Sequence, residues 1–356
     1  MLHAIIMAGG VGARFWPLSR RNRPKQLIDL LGEGTMIEQT IARLDGLVEK
    51  DHIWIVTNAE QAEMIQQLIP SLDKARFIIE PLGRNTAPAI GLAAVHLHRH
   101  DPDAVMIVLP ADHRIKNIEQ FHFCVSSAVE AVHDSEMLAT IGIEPTRPET
   151  GYGYIQMDTS GVRVRENVYP VKTFAEKPNL ATARLFLESG EFVWNSGMFV
   201  WRADTILKQI MEHLPLWGTA FQQIDQALGT PHEQEVTRNV FESGKGISID
   251  YGVMERAPKV AVVRGTFDWN DVGSWDEVWR LMPHDDHGNA VRGNVLLTNS
   301  HNTCVLGDKK LIAAVGVSNL IIVETEDALM ICSLDRSQEV KELVDALKAQ
   351  GREEVL

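Results

Sequence analysis

The sequence predicts an α/β protein: a mostly parallel, mixed sheet over residues 1–283, followed by a small β-rich domain over residues 284–356. Three observations carry this. Short apolar runs alternate with helical stretches through the first half, the pattern of a parallel sheet covered on both faces. A glycine-rich turn follows the first of those runs. Beyond about residue 290 the helices give way to short strand-like runs at close intervals, which read as a β-coil.

The first run, Ala4–Ala8 (AIIMA), is a buried strand in pattern. Gly9, Gly10 and Gly12 follow, where the backbone can turn sharply and approach a ligand with no Cβ in the way. Then come Arg14, Arg20, Arg21, Arg23 and Lys25, with no Asp or Glu before Asp29. The whole chain of 356 residues carries a formal charge of −14. Five bases and no acid after a glycine turn are therefore a local cluster, fit for a polyphosphate. No GxxxxGK[ST] loop is present. The dinucleotide fingerprint GxGxxG is half met, because Phe15 stands where the third glycine belongs. The same glycines would also serve a plain strand-to-helix turn.

Thr35 to Leu47 reads as a helix, with Ile37, Ile41 and Leu44 at helical spacing. Ile53–Thr57, Phe77–Ile79 and Ala104–Leu109 read as strands, and a helix begins near Ala59. Ligands on such sheets lie beyond the strand carboxyl ends, so the segments just after each strand are the ones to search. Residues 80–89 (EPLGRNTAPA) offer Asn85 or Thr86 as an N-cap and Pro88 in a first turn. Exposed amides and carbonyls there could also read a purine edge. Asp112 ends LPADH and Asp271 lies in FDWNDVGSW, each after a strand-like run. Alone, either would serve as a turn former; together they could share a Mg²⁺ ion on a triphosphate.

Glu176 and Lys177 in FAEKP read either as a surface pair or as a sugar-hydroxyl acceptor beside a phosphate donor. Tyr152 and Gly153 in GYGY, and Asn195 in NSGMF, read either as strand-end bends or as room for a sugar ring. Gly151–Met157, Val168–Phe174, Phe199–Trp201 and Val260–Arg264 are the strands expected of a more mixed sheet, with a helix over residues 181–188. The polar cluster PHDDHGN (residues 283–289) marks a break, and Asp285, Asp286 and His287 form its turn. At the end, Asp335 with Gln338 resembles a capping box opening a helix whose face holds Val340, Leu343, Val344 and Leu347.

Composition sets bounds. Apolar residues make up 45%, enough for a full core. The acidic balance argues against nucleic acid as a partner. Cys124, Cys304 and Cys332 form no CxxC pair, which gives no disulfide framework and no zinc site. No signal peptide or bilayer-length apolar run is found, so a cytoplasmic protein without a membrane partner is the expectation. His96, His98 and His100 lack a third ligand type nearby and read as a solvated helix end.

Taken in order, GGVGARFWPLS, RPKQ, EPLGRNTAPA, LPADH, TGYGYI, FAEKP, WNSGMF, SIDYGVME and WNDVGSW resemble the sugar nucleotidyltransferases. Within them the series is similar to the bacterial mannose-1-phosphate guanylyltransferases, also called GDP-mannose pyrophosphorylases. The resemblance covers nearly the whole chain. It implies a Rossmann-like nucleotidyltransferase domain with a β-helix-like tail, Mg²⁺ dependence, and transfer of GMP from GTP to α-D-mannose 1-phosphate. It places Gly9, Gly10, Gly12, Arg14 and Lys25 at the GTP phosphates, Asn85 and Thr86 near the base, and Asp112 and Asp271 on the metal. Tyr152, Gly153, Glu176, Lys177, Asn195 and Asp250 would line the sugar-phosphate pocket. Arg14, Lys25, Lys177, Asp112 and Asp271 would act in the reaction. Some relatives carry a further isomerase domain; the transferase activity alone is expected here, and a homodimer is possible. Two rival readings remain: a transferase for UTP or dTTP with glucose 1-phosphate, and a silent nucleotide-sensing relative.

Overall fold

The computed structural model describes residues 1–161 and 163–356. The chain forms two compact units, each assembled from separate segments. One comprises Met1–Gly9, Ile41–Ala111 and Ile115–Trp269; the other comprises Gly10–Thr40, Asp112–Arg114 and Asn270–Leu356.

The first unit is a nine-stranded sheet. Strands β1 (Leu2–Met7), β2 (Ile53–Thr57), β3 (Phe77–Ile79) and β4 (Val105–Pro110) are parallel, in the spatial order β3-β2-β1-β4. β2 is buried along its length, as are the middle of β1 and most of β4, which is why they read as unbroken apolar runs rather than alternations. Beyond β4 lies Phe192–Arg202, antiparallel to it, then Leu138–Ile143 and Val260–Gly265, with Val168–Ala175 and Tyr154–Met157 at the far edge. The expected α/β fold with a mostly parallel, mixed sheet is thus present. Helix Thr86–His100 is alanine-rich and packs closely against Pro215–Ala227: a Cβ on Gly91 would lie 2.1 Å from the Phe221 ring.

Phe192–Arg202 is far longer than the three-residue strand expected at Phe199–Trp201. Asn195-Ser196-Gly197 reads as a bend, but the sheet absorbs it as a bulge: Ile141 faces Met198 while the next residue, Gly142, faces Asn195. The helix expected over Thr35–Leu47 stops at Ala42. Its continuation tightens into i→i−3 turns and ends at Gly46, whose φ is +76°.

The second unit joins the glycine-turn segment to the C-terminal strands. Ala290–Arg292, Cys304–Leu306 and Leu320–Glu324 run parallel, Leu329–Ser333 closes them antiparallel, and Val295–Thr298 pairs in parallel with Ile312–Val315. These are coils of a β-helix. One face of the four-stranded layer, bearing Ala290, Cys304, Leu306, Ile321, Val323 and Met330, shares a core with Phe15, Trp16, Ile28, Leu30 and Trp275. Trp16 Nε1 donates to Val355 O at 2.8 Å, tying the first segment to the last residues.

The expected capping box at Asp335 does not form. Residues Leu334–Glu339 make a 3₁₀ turn, and the helix proper, Val340–Ala349, starts after Glu339 without a side-chain cap. Ser337, inside that turn, instead bonds the carboxylate of Asp276 at 2.5 Å, so tertiary contact wins over the local signal. Val340 and Val344 are buried as expected, whereas Leu343 faces outward. His96 and His98 are half-buried rather than solvated, and burial holds the His96 imidazole below its ordinary pKa. No helix among the described residues is long and apolar enough to cross a membrane.

Candidate functional site

In the second unit the residues gather around Lys25. Gly12 sits in the left-handed region (φ +75°), and a Cβ there would lie 2.4 Å from the Lys25 Cβ, so only glycine lets the two segments meet. The Lys25 N–H donates to Val11 O at 3.1 Å, and Ser19 Oγ donates to Gly12 O at 2.7 Å. The turn is therefore pinned from both sides. Lys25 is 5% exposed. Its ammonium donates to Asp112 Oδ2 at 2.7 Å and to the Asp271 carbonyl at 2.9 Å, and lies 5.3 Å from the Phe15 ring centre. Burial alone would raise the Asp112 carboxyl; the Lys25 charge overcomes this and holds it below the usual range. Gly9, Gly10 and Arg14 are exposed, and a Cβ on Gly10 would meet nothing within 4 Å.

Asp271 is placed by a local network. Asn270 Oδ1 accepts the Val272 N–H at 2.7 Å, and Asn270 Nδ2 donates to Glu277 Oε2 at 2.7 Å. Among the described residues, no group of three or more His, Cys, Asp or Glu gathers into a metal cage. A Mg²⁺ ion on a triphosphate needs only one or two carboxylates, because phosphate and water oxygens fill its other positions. At the Lys25 ammonium it is the Asp112 carboxylate and the Asp271 main-chain carbonyl that meet, so Asp112 offers one such carboxylate there.

In the first unit a second cluster forms. The Asn195 N–H donates to Gly153 O at 2.8 Å, and a Cβ on Gly153 would lie 3.0 Å from Glu176 Oε2 and 3.5 Å from Asn195 Cβ. Gly153 thus leaves room at the point where Glu176 and Asn195 converge. The bulge turns the Asn195 side chain so that Nδ2 donates to Asp250 Oδ1 at 2.7 Å and Oδ1 accepts the Gly197 N–H at 3.1 Å. Burial pushes the Asp250 carboxyl up against the pull of that bond. Lys177 pairs with Glu176 at 2.5 Å and is 62% exposed. Tyr152 packs edge-on against Trp194 and Trp269, each ring 5.2 Å away. A carboxylate not singled out from sequence joins the group: burial, then Asp250 and Glu176, raise the Glu255 carboxyl. Its signal lay in SIDYGVME, of which only the aspartate was singled out.

Asn85 and Thr86 are largely committed to the fold. Asn85 Oδ1 accepts the Thr86 N–H at 2.8 Å, and Thr86 Oγ1 accepts the Ile249 N–H at 2.8 Å. Asn85 thus caps the helix, and Thr86 holds the backbone just before Asp250.

A nucleotidyl transferase family model matches residues 3–287, and a mannose-phosphate isomerase/GMP-like β-helix domain model matches residues 293–347. The mannose-1-phosphate guanylyltransferase of Klebsiella pneumoniae is 41% identical over 99% of this chain and 75% of its own length. The alginate biosynthesis protein AlgA of Pseudomonas aeruginosa is 39% identical over 98% of this chain and 73% of its own. A crystal structure from Thermus thermophilus, described as a mannose-1-phosphate geranyltransferase, superposes with a TM-score of 0.87 at 34% identity, covering 98% of this chain and 99% of that one.

Proposed function

We propose, since this chain belongs to the nucleotidyl transferase family and stands among the mannose-1-phosphate guanylyltransferases, that it transfers GMP from GTP to α-D-mannose 1-phosphate, releasing pyrophosphate and GDP-mannose. The observation that carries this reading is the buried Lys25 ammonium, held by the Asp112 carboxylate and the Asp271 main chain beside a glycine turn. In this reading residues 1–283 are the catalytic part and 284–356 the β-helix part; the family-model boundaries at 287 and 293 support that division.

The attacking group is a phosphate oxygen that is already an anion, so no general base is required. The barrier lies in bringing two polyanions together and spreading the charge that develops on departing pyrophosphate. Arg14 and Lys25 hold the β- and γ-phosphates. Lys177 holds the attacking phosphate, and Glu176, Asn195 and Asp250 accept and donate to the sugar hydroxyls. Nucleotidyltransferases of this family generally use a divalent metal. We assign Mg²⁺ to Asp112 and Asp271, where it would neutralise phosphate charge. Such work suits the cytoplasm, where nucleoside triphosphates are available.

Pyrophosphate release from GTP plus mannose 1-phosphate tests the reading, with UTP, dTTP and glucose 1-phosphate as controls and EDTA as the metal control. Turnover only with GTP and mannose 1-phosphate, abolished by EDTA and restored by Mg²⁺, is expected. Preference for UTP or dTTP with glucose 1-phosphate, or no turnover with any pair, overturns it.

A further inference from the structure

We infer that Thr86 serves the sugar side of the reaction as a positioning residue: its hydroxyl oxygen caps the turn that carries Asp250 and so fixes where that carboxylate stands. The inference rests on the guanylyl-transfer reading, in which Asp250 meets the sugar hydroxyls, and adds a residue that acts through it.

Residues 84–87 and 247–249, remote in the chain, are stitched together. The Ile247 N–H donates to Arg84 O at 3.1 Å, the Ala87 N–H to Ile247 O at 3.1 Å, and the Ile249 N–H to Thr86 Oγ1 at 2.8 Å. The first two bonds join main chain to main chain and are indifferent to side-chain identity. The third needs a side-chain acceptor at position 86, and its donor is the amide one residue before Asp250. Arg84 is itself anchored, Nε to Phe241 O at 2.7 Å and Nη2 to Glu242 O at 3.0 Å. Asn85, at φ +70°, accepts the Thr86 N–H at 2.8 Å and caps helix Thr86–His100. Thr86 therefore stands on a fixed base, and the Asp250 stretch is what it holds.

That stretch has an uncommon geometry. Asp250–Met254 is a wide π turn, in which the Glu255 N–H donates to Asp250 O, five residues back, at 3.0 Å. Such turns are rare and occur mostly at functional sites. The first amides of any helical turn lack partners within it. Ser248 Oγ takes that of Tyr251 at 3.3 Å, and Thr86 takes that of Ile249, a fully buried residue. Without the Thr86 oxygen a buried donor is left unpaired, and the turn must shift to find another acceptor. Asp250 has little slack for such a shift. Its Oδ1 accepts from Asn195 Nδ2 at 2.7 Å, and burial already raises its carboxyl. The same turn brings Glu255 close enough to Asp250 and Glu176 for both to raise its carboxyl. A displaced turn thus misplaces the acceptors that face the sugar.

The test compares Thr86→Val, which keeps the branched shape and loses the hydroxyl, with Thr86→Ser, which keeps the hydroxyl. Pyrophosphate release is measured against each substrate in turn. Thr86→Val should raise KM for mannose 1-phosphate about tenfold, the scale of one lost hydrogen bond, with KM for GTP unchanged. Thr86→Ser should match wild type in both. In an Asp250→Ala background, Thr86→Val should add nothing further to KM for mannose 1-phosphate, because residues acting through one carboxylate are not additive. A rise in KM for GTP, no change in either KM, or full additivity with Asp250→Ala overturns the inference and leaves the transferase reading intact. A wild type inert with GTP and mannose 1-phosphate overturns both. Should Thr86→Val not fold, Gly246→Ala tests the same join. A Cβ there would stand 3.1 Å from Arg84 O, and because Arg84 is anchored, the 247–249 stretch is the side that moves. It should raise KM for mannose 1-phosphate and not KM for GTP; an unchanged KM for mannose 1-phosphate overturns the inference.

Discussion

Lys25 and Asp112 form an ion pair at 2.7 Å, the lysine buried and the aspartate partly exposed, although 87 residues separate them in the chain. The same ammonium takes the Asp271 carbonyl, so three segments converge on one charge. Removing the Lys25 side chain takes away the shared anchor of the partly exposed Asp112 carboxylate and the Asp271 carbonyl. Lys25→Ala should therefore lose both activity and stability. A drop in kcat of about a hundredfold or more is expected, on the scale of one lost electrostatic stabiliser. Steady-state pyrophosphate release beside a thermal melt separates the two effects; near-normal kcat would remove Lys25 from the reaction.

Asp271 gives a cleaner readout, because its tie to Lys25 runs through the main chain. Asp271→Asn should keep the fold and lower kcat by about a hundredfold. Its apparent Mg²⁺ requirement, read from rate against Mg²⁺ concentration, should shift to higher concentration. An unaltered Mg²⁺ curve would take this carboxylate out of the metal site.

Gly12→Ala should be damaging out of proportion to its size. The backbone at φ +75° disfavours any side chain by about 1–2 kcal/mol, and the methyl would collide with Lys25 Cβ. We expect a lower Tm and a loss of kcat together. Gly10→Ala, where a Cβ meets nothing within 4 Å, should leave Tm near wild type.

Asn195→Ala should act on the sugar side alone. It removes the donor to Asp250 and leaves a half-buried carboxylate, whose pKa is already raised, without its partner. KM for mannose 1-phosphate should rise about tenfold, the scale of one hydrogen bond to a charged group, with KM for GTP unchanged. Equal rises in both would argue against a sugar-specific role.

His3 sets an acid limit on stability. It is fully buried, Nδ1 accepts from Trp54 Nε1 at 3.2 Å, and Nε2 faces Asp101 Oδ2 at 3.3 Å. His52, His100 and the N-terminal amine of Met1 lie around the same group. Burial lowers its pKa from 6.5 to about 4 against the pull of Asp101. The unfolded chain therefore binds the extra proton first as pH falls. This contribution is complete above about pH 6.5 and is lost as pH drops towards 4, on the order of 2–3 kcal/mol. Urea unfolding at pH 7 and pH 4.5 should show the loss, and His3→Gln should reduce that pH difference.

Much of the first unit was legible because buried parallel strands are apolar runs and their carboxyl ends are where ligands sit. Asp112 and Asp271 in the second unit were singled out as strand-end acids and Lys25 as a base after the glycine turn; the Asp112 carboxylate and the Asp271 main-chain carbonyl meet at the Lys25 ammonium. The length of Phe192–Arg202 was not legible, because Asn-Ser-Gly signals a bend locally and only pairing with Leu138–Ile143 turns it into a bulge. The capping signal at Asp335 failed for a related reason: Asp276, far off in sequence, captured Ser337.

By itself the sequence determined which stretches are strands, where charge could be neutralised, and to which family the motifs belong, because these depend on neighbouring residues and on residue chemistry. Tertiary structure alone decided that Phe15, Trp16 and Ile28 share a core with Cys304 and Val344, and that Gly12 must yield to Lys25. Burial and ion pairing depend on distances in space between chain-remote groups, which no local periodicity records.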